Sequence, residues 1–310
     1  HIEENIGFSK DFNVFELQNA LGSKNEIKAY KIAQYFADNP KDNPMVVTTS
    51  LVFSFFIKLL KYHGLKDKNP KNVASVLGRL FVKNNHEILQ VVSRNAAHAQ
   101  ALAAEFDCGF ADYEGAINKE ADLYLVAVVD SALYDLNNNL HLGNKLILHT
   151  AGSVSKDVLK QISINYGVLY PLQSLRKEME YTREIPFLID GNTDETITLI
   201  EDFAGTFSGH VVKAADDERL KLHVAAVVVS NFSNHLYAMA EKFCIKENVD
   251  FKLLLPLIKE TAGRIEYISP AEVQTGPAVR KDVFTLDKHL RVLSDHPALK
   301  YIYLKLTDSI

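Results

Sequence analysis

Cysteine is scarce, with two in 310 residues. Cys108 and Cys244 lie far apart and form no C-x-x-C pair, which excludes a disulfide scaffold and leaves reduced thiols in a cytoplasmic protein as the expectation. A long hydrophobic run is also missing. The longest apolar stretch, Met45 to Leu60, is broken by Thr48, Thr49, Ser50, Ser54 and Lys58. It is too short and too polar to span a bilayer and suits a buried helix. The opening residues carry no charged-then-apolar leader pattern, and from a start at His1 rather than methionine the expectation is a fragment or a processed product. Strong positive charge is lacking as well. The net charge is −5, and residues 1–71 hold only 10 Lys/Arg against 8 Asp/Glu, too small an excess for a nucleic-acid footprint. The length suffices for two or three domains with buried cores, and 47% hydrophobic with 24% charged residues is ordinary for a globular chain.

Three helices are predicted in the first seventy residues. Phe12, Phe15, Leu17 and Leu21 fall at helical spacing between Ser9 or Asp11, as caps, and Gly22, a stop. A second helix is predicted from about Asn25 to Ala37, with Ile27, Tyr30, Ile32, Ala33, Tyr35 and Phe36 as its apolar residues. A third starts after Pro44 and runs to about His63-Gly64. Short connections imply an antiparallel bundle. No residue set here suggests catalysis, and His63 suits a helix C-terminus better than a ligand role.

From Asn72 the pattern changes to alternating strands and helices. Strands are predicted at Ile88–Val92, Leu123–Val129, Lys145–His149, Gly167–Tyr170, Pro186–Ile189 and His210–Lys213. The first four read as a parallel sheet with crossover helices. A nucleotide-binding sheet of this kind opens with a strand, a glycine turn and a helix whose N-terminus faces a pyrophosphate. The helix is predicted at Asn72–Lys83, but the string before it, Lys66-Asp67-Lys68-Asn69-Pro70-Lys71, offers neither a buried strand nor a glycine. Such a first strand belongs at the sheet's centre, so the domain is expected to be split or repaired by another segment. Continuous pairing between the strands ending at Val92 and His149 contradicts that expectation. Met45–Thr49 is a poor substitute, because about twenty residues and a helix separate it from Asn72.

Ser93-Arg94, after the second strand of such a fold, suits a ribose 2′-phosphate, or is a surface arginine at a strand end. From about Ala214 the chain reads as helical. His223, Asn231, Asn234 and His235 share about a third of the circumference of a helix over Leu222–Ala240. This is a cleft-lining face or a polar patch at a dimer interface. A metal role for the two histidines lacks carboxylate partners, so no metal site is expected.

Two resemblances follow from the wording of the chain. Ile6-Gly7-Phe8-Ser9-Lys10-Asp11-Phe12-Asn13-Val14-Phe15-Glu16-Leu17-Gln18-Asn19-Ala20-Leu21, then Asn39 to Pro44, then Phe53 to Phe56 with Lys58-Leu59-Leu60, resemble the clamp-loader delta subunit of bacterial DNA polymerase III. The match runs to about residue 78 and implies that family's helical collar, with clamp-loader subunits as partners through residues 1–71. Val91-Val92-Ser93-Arg94, His149-Thr150-Ala151-Gly152-Ser153, Tyr170-Pro171-Leu172-Gln173-Ser174, His223 with Asn231 to Leu236, and Gln274 to Asp282 resemble a second family. That family joins a Rossmann-like domain to a C-terminal domain of unknown function. It is related to pyrroline-carboxylate reductase and is described as an NADP- or coenzyme-F420-dependent oxidoreductase. The string Asn72 to Gly78 fits both parents, so the chain reads as a chimera.

The fold class expected is therefore a multi-domain α/β protein. Residues 1–71 would form a helical clamp-loader-like segment, 72–212 a Rossmann-like domain lacking its first strand, and 213–310 an all-α dimerising domain. The second resemblance implies NADP as cofactor, held by Asn72, Val73, Ser93, Arg94 and Val129. It implies a catalytic set of His149, Ser153, His223, Asn231 and His235, with a histidine as proton donor, and places Gln274, Thr275 and Arg280 on an anionic substrate group. The partners implied are a small-molecule substrate and a second copy of the chain, with neither membrane nor nucleic acid.

Overall fold

The structure is a computed structural model describing residues 12–23, 25–41, 48, 52, 71–113, 115–136, 140–178 and 184–310. It divides into two compact units, His1–Asn69 and Pro70–Ile310. In the first, helix α1 (Val14–Gly22) opens on Asn13, whose side chain accepts from the Glu16 amide at 3.0 Å. Helix α2 (Glu26–Asp38) opens on Asn25, which accepts from the Lys28 amide at 3.0 Å. These asparagines satisfy donors that have no partner within a first helical turn. Asn13, not Ser9 or Asp11, caps α1, because it stands directly ahead of the first helical residue; Ser9 and Asp11 lie outside the described residues. Leu17, Ala20, Ala29, Ile32 and Phe36 form this unit's core. Ile27 and Tyr30 are exposed instead, so the apolar stripe of α2 is narrower than its sequence predicts. The expected third helix, with His63, lies outside the described residues apart from Thr48 and Val52, both helical.

The second unit begins with helix α3 (Lys71–Lys83) and alternates β1 (Gln90–Val92), α4 (Ala96–Phe106), β2 (Gly109–Ala111), β3 (Leu123–Val126), α5 (Asp130–Leu133), β4 (Gly143–His149), β5 (Ser163–Pro171), β6 (Phe187–Gly191), α6 (Asp194–Gly205) and β7 (Val211–Lys213). Along β4 the side chains alternate. Leu146 and Leu148 join the core under α3 and α6, while Ile147 packs on the opposite face with Leu142, Leu159 and Ile162. Phe81 of α3 stacks edge-on against Phe203 of α6 at 5.2 Å. Fully burying a side chain such as Leu148, Phe187 or Ile189 is worth roughly 1.5–3 kcal/mol, so the face under α3 and α6 is the main stabilising layer.

β3, β4 and β5 pair in parallel, β6 runs antiparallel to β5, and β7 is parallel to β6. Gly167 of β5 lies opposite Gly191 of β6, and a β-carbon on Gly167 would stand 2.2 Å from the Asp190 carbonyl oxygen, so only glycine fits. β1 and β2 form a separate parallel pair. The sheet is thus divided, with no ladder joining β1 to the five-stranded sheet among the described residues. β2 has no counterpart among the predicted strands, because Gly-Phe-Ala is too short to show alternation.

Beyond Ala214 the unit is helical: α7 (Asp216–Ala226), a π-helical segment Val227–Phe232, α8 (Ser233–Lys246), α9 (Leu255–Arg264), α10 (Val283–Val292) and α11 (Pro297–Ser309). Acidic Asp216, Asp217 and Glu218 sit in the first turn of α7, where the helix dipole favours them. The continuous helix expected over Leu222–Ala240 is interrupted by the π segment. Each i→i+5 turn uses one more residue than an α turn, so later side chains rotate off the expected face. The architecture is a mixed α/β fold with parallel strands and many helices. Among the described residues no helix is long and apolar enough to cross a membrane.

Candidate active site

Several polar residues come together at the carboxyl ends of β3, β4 and β5. After β4 the chain turns through Thr150-Ala151-Gly152-Ser153, and the Thr150 amide donates to the Val126 carbonyl at 3.2 Å. Ser153 Oγ donates a short hydrogen bond to Asp130 Oδ2, at the start of α5. From the helical part, His223 of α7 meets Tyr170 near the end of β5, Nδ1 to Oη at 2.9 Å, with the rings edge-on. A β-carbon on Gly152 would stand 2.7 Å from His223 Nδ1 and 2.9 Å from Tyr170 Cζ, so glycine alone lets the turn approach this pair. Burial raises the Tyr170 pKa, the Asp130 carboxylate adds to the rise, and the Arg219 charge opposes it. The phenol therefore stays protonated at neutral pH, and its hydroxyl shares this hydrogen bond with Nδ1 of His223.

His149 lies beneath this turn and is fully buried. Its Nδ1 accepts from the Ala151 amide at 3.1 Å, so the neutral ring carries its proton on Nε2. Burial pushes its pKa down to about 4, the Arg219 charge pushes the same way, and the Ser155 backbone, Asp216 and Asp130 oppose. Nε2 itself has no partner in hydrogen-bond geometry among the described residues. Arg219 of α7 is 1% exposed. Its Nη2 donates to the Val154 carbonyl at 2.6 Å and to Asp216 Oδ1 at 2.7 Å, while Nε and Nη1 are buried without partners among the described residues. Burial works to raise the Asp216 carboxyl, but hydrogen bonds from Ser155 and Arg219 hold it below the ordinary range. Lys156 Nζ pairs with Asp190 Oδ2 at 2.8 Å; burial works to lower the Lys156 pKa, but the Asp190 bond and charge raise it.

Of the residues singled out from sequence, His149, Ser153 and His223 meet here, and Val129 stands next to Asp130 as the residue before α5. Ser93 and Arg94 follow β1. The Ser93 oxygen accepts from the Asn95 amide at 3.4 Å, and Arg94 is exposed. Asn72 Oδ1 accepts from the Lys177 amide at 3.4 Å, and Val73 packs on the core under α3. Asn231 and His235 are exposed, on the π segment and the first turn of α8. Gln274, Thr275 and Arg280 are on or beside the turn at Gly276, between α9 and α10, with Gln274 Nε2 bonded to the Thr275 carbonyl at 3.2 Å. Sequence reasoning missed Asp130, Arg219 and Asp216. The one sequence signal was the Asp216-x-x-Arg219 spacing, which places opposite charges on one helix face. A cavity of about 270 Å³ lined by Lys119, Tyr124, His141 and Lys145 lies at the other, amino ends of β3 and β4. Among the described residues no three His, Cys, Asp or Glu side chains are grouped to hold a metal ion.

Residues 185–310 match the family model described as Domain of unknown function (DUF2520). No curated protein matches the chain. A candidate NADP oxidoreductase from Bacteroides fragilis is similar in structure, with TM-score 0.72 and 36% identity, over 77% of this chain and 94% of that one. A protein from Thermotoga maritima shares the fold at TM-score 0.62 and 21% identity, over 75% and 93% of the two chains. So does an imine reductase from Myxococcus stipitatus in complex with NADP+, at TM-score 0.52 and 14% identity, over 76% and 87%. This chain therefore belongs to the same family as the Bacteroides fragilis protein, with the domain of unknown function DUF2520 as its C-terminal part.

Proposed function

We propose that this chain is an NADP-dependent reductase module acting on a small substrate. The observation that carries the reading is the polar cluster at the carboxyl ends of β3, β4 and β5, where open α/β sheets bind their ligands. It stands in a chain 36% identical to a candidate NADP oxidoreductase. Bound NADP would supply the hydride. In this reading residues 72–212 bind the dinucleotide, and 213–310 form the helical, dimerising domain.

The described residues fit that cofactor at two places and fail at a third. Ser93 and Arg94 are free to meet a 2′-phosphate at the end of β1, and the strand-end cluster suits the nicotinamide side. The pyrophosphate grip does not fit, because the string before α3 holds no glycine and Asn72 already bonds the Lys177 amide. The residue roles proposed are therefore confined to the substrate side. Ser153 and the neutral His149 shape the floor, His223 holds a proton beside Tyr170, and Asn231 and His235 line the helical wall. Gln274, Thr275 and Arg280 anchor an anionic group such as a carboxylate.

A fluorescence titration of the folded chain with NADPH, with NADH as control, tests this. Saturable binding that prefers NADPH is expected, and no binding by folded protein overturns the reading. Turnover of NADPH with an imine or keto acid then separates an enzyme from a nucleotide-binding protein that does no chemistry. The first unit carries its own resemblance, and a chimeric origin is proposed with it. Co-purification of residues 1–71, within the full chain, with clamp-loader subunits is the result that supports that part.

A further inference from the structure

The cavity of about 270 Å³ at the amino ends of β3 and β4 lies at the opposite end of these strands from the candidate active site. It is lined by Lys119, Tyr124, His141, Leu142, Asn144 and Lys145. Leu142 is buried with Ile147, Leu159 and Ile162, and Tyr124 packs against the same group, so part of the wall is apolar and fixed. The remaining four side chains are polar. Lys119, His141 and Asn144 are exposed, and Lys145 is half-buried.

The backbone that carries this lining is well anchored. The Leu142 amide donates to the Ile162 carbonyl at 2.7 Å, and the Lys145 amide to the Leu142 carbonyl at 3.1 Å. Asn165 Nδ2 donates to the Asn144 carbonyl at 2.7 Å, and Ser163 Oγ is shared between the carbonyls of Gly143 and Lys145. Beside Lys119, the Asn118 amide donates to Gln90 Oε1 and the Asn118 carbonyl accepts from Tyr124 Oη, both at 2.8 Å. The side chains of Lys119, His141, Asn144 and Lys145 have no such ties: none carries a hydrogen bond or an ion pair among the described residues. Elsewhere in this unit Arg79, Lys156, Lys213, Arg219 and Lys221 each pair with a carboxylate. Two unpaired lysines on one cavity are therefore a local excess of positive charge. The nearby acid is Glu120, whose charge adds to burial in raising the Tyr124 pKa. One carboxylate does not balance two ammoniums.

We propose that this cavity binds a small molecule bearing a phosphate group, with the Lys119 and Lys145 ammoniums and the Asn144 amide on its oxygens and the His141 ring beside them. A phosphate dianion balances both lysines and has enough acceptor oxygens for all these donors, whereas a single carboxylate leaves one ammonium unbalanced. The volume is below the ~300–1,000 Å³ of sites that enclose a drug-sized ligand, so a short phosphomonoester or phosphate itself fits and a dinucleotide does not. The proposal does not depend on the reductase reading.

The test titrates the full chain with inorganic phosphate at constant ionic strength, balanced with chloride, and with acetate as the singly charged control. Amide NMR signals of Tyr124, Asn144 and Lys145 are expected to shift saturably, with a Kd of about 1 mM for phosphate and about tenfold weaker for acetate. Lys119→Gln with Lys145→Gln should weaken phosphate binding about tenfold or more, while Lys119→Arg with Lys145→Arg should keep it within about threefold. Both pairs change exposed or half-buried side chains, so the ligand-free melting temperature should stay that of the wild type. The proposal is overturned if phosphate gives no saturable shift, if acetate binds equally, or if the glutamine pair binds as the wild type does. Shifts spread evenly over the other lysines overturn it as well. Glycerol phosphate as a second probe distinguishes the source: tighter binding than phosphate supports a phosphomonoester, and weaker binding supports the free ion. Phosphate binding without NADPH binding keeps this inference and sinks the reductase reading alone.

Discussion

A histidine buried beside a guanidinium loses its proton affinity, and at His149 that loss ties the fold's stability to pH. Its pKa in the folded chain is about 4, against an ordinary 6.5, with burial first and Arg219 second as causes. Between pH 4 and 6.5 the unfolded chain therefore binds the extra proton. The stability tied to this group is complete above pH 6.5 and is lost as pH falls through 4, about 3 kcal/mol in all. That is a large share of the ~5–15 kcal/mol that holds an ordinary domain folded. Urea unfolding at pH 7, 5.5 and 4.5 should show wild-type stability falling more steeply than that of His149→Gln, which keeps an acceptor for the Ala151 amide but cannot titrate. Parallel pH slopes would show that His149 does not titrate as its burial requires. The same burial keeps His149 neutral near neutral pH. His149, Ser153 and His223 were legible as residues in the sequence. Their hydrogen-bond partners were not, since Tyr170 is 53 positions from His223 and Asp130 is 23 from Ser153. Pairings of that range come from the sheet, not from local spacing.

At the scale of elements, a fully buried side chain is one of the ties between the strand ends and the helical part. Arg219 of α7 reaches the Val154 carbonyl and Asp216, and so fastens the first helix of the C-terminal part to the turn after β4. Truncating it removes a charge-assisted bond to a buried carbonyl and opens a cavity. Arg219→Ala should cost about 2–4 kcal/mol, measured as a lower denaturation midpoint at unchanged slope. Arg219→Met, which fills the space without restoring the bonds, should recover part of that loss. A loss below about 0.5 kcal/mol for alanine would mean that the joint is held elsewhere. Most elements on either side of this joint were legible. The runs at Leu123, Lys145 and Pro186 are β-branched or leucine-rich, and helix α3 has a clear apolar stripe. The π segment Val227–Phe232 was not, because i→i+5 bonding leaves no periodic mark in Val-Val-Val-Ser-Asn-Phe. That one irregularity breaks the regular repeat between His223 and His235, so a shared face does not follow from 3.6-residue spacing. The division between β1 and β3 was legible from the string before α3, whereas the antiparallel direction of β6 was not.

At the scale of the whole molecule, the helical part buries few side chains in a single copy. Past Ala214 the buried residues are Arg219, Cys244 and Leu293, although five α-helices lie there. Tyr267 is 84% exposed, Leu253 77%, Val283 73% and Phe284 71%. Isolated large side chains on a surface need no explanation, but a helical layer with almost no buried apolar residue has nothing to offset the entropy of ordering it. A second copy of the same layer offers the same apolar stripes, and a two-fold contact buries both at once. The chain is therefore expected to sediment at about twice its 34.8 kDa mass. The double substitution Val283→Asp with Phe284→Asp places two charges on the first turn of α10, where leaving water without a partner is costly. It should shift the protein to the single-chain mass and lower the melting temperature of the helical part, while leaving the buried core of β4, Phe187 and Ile189 intact by amide exchange. A wild-type chain that sediments as a monomer at micromolar concentration, with its helical part protected from exchange, would remove the need for a second copy.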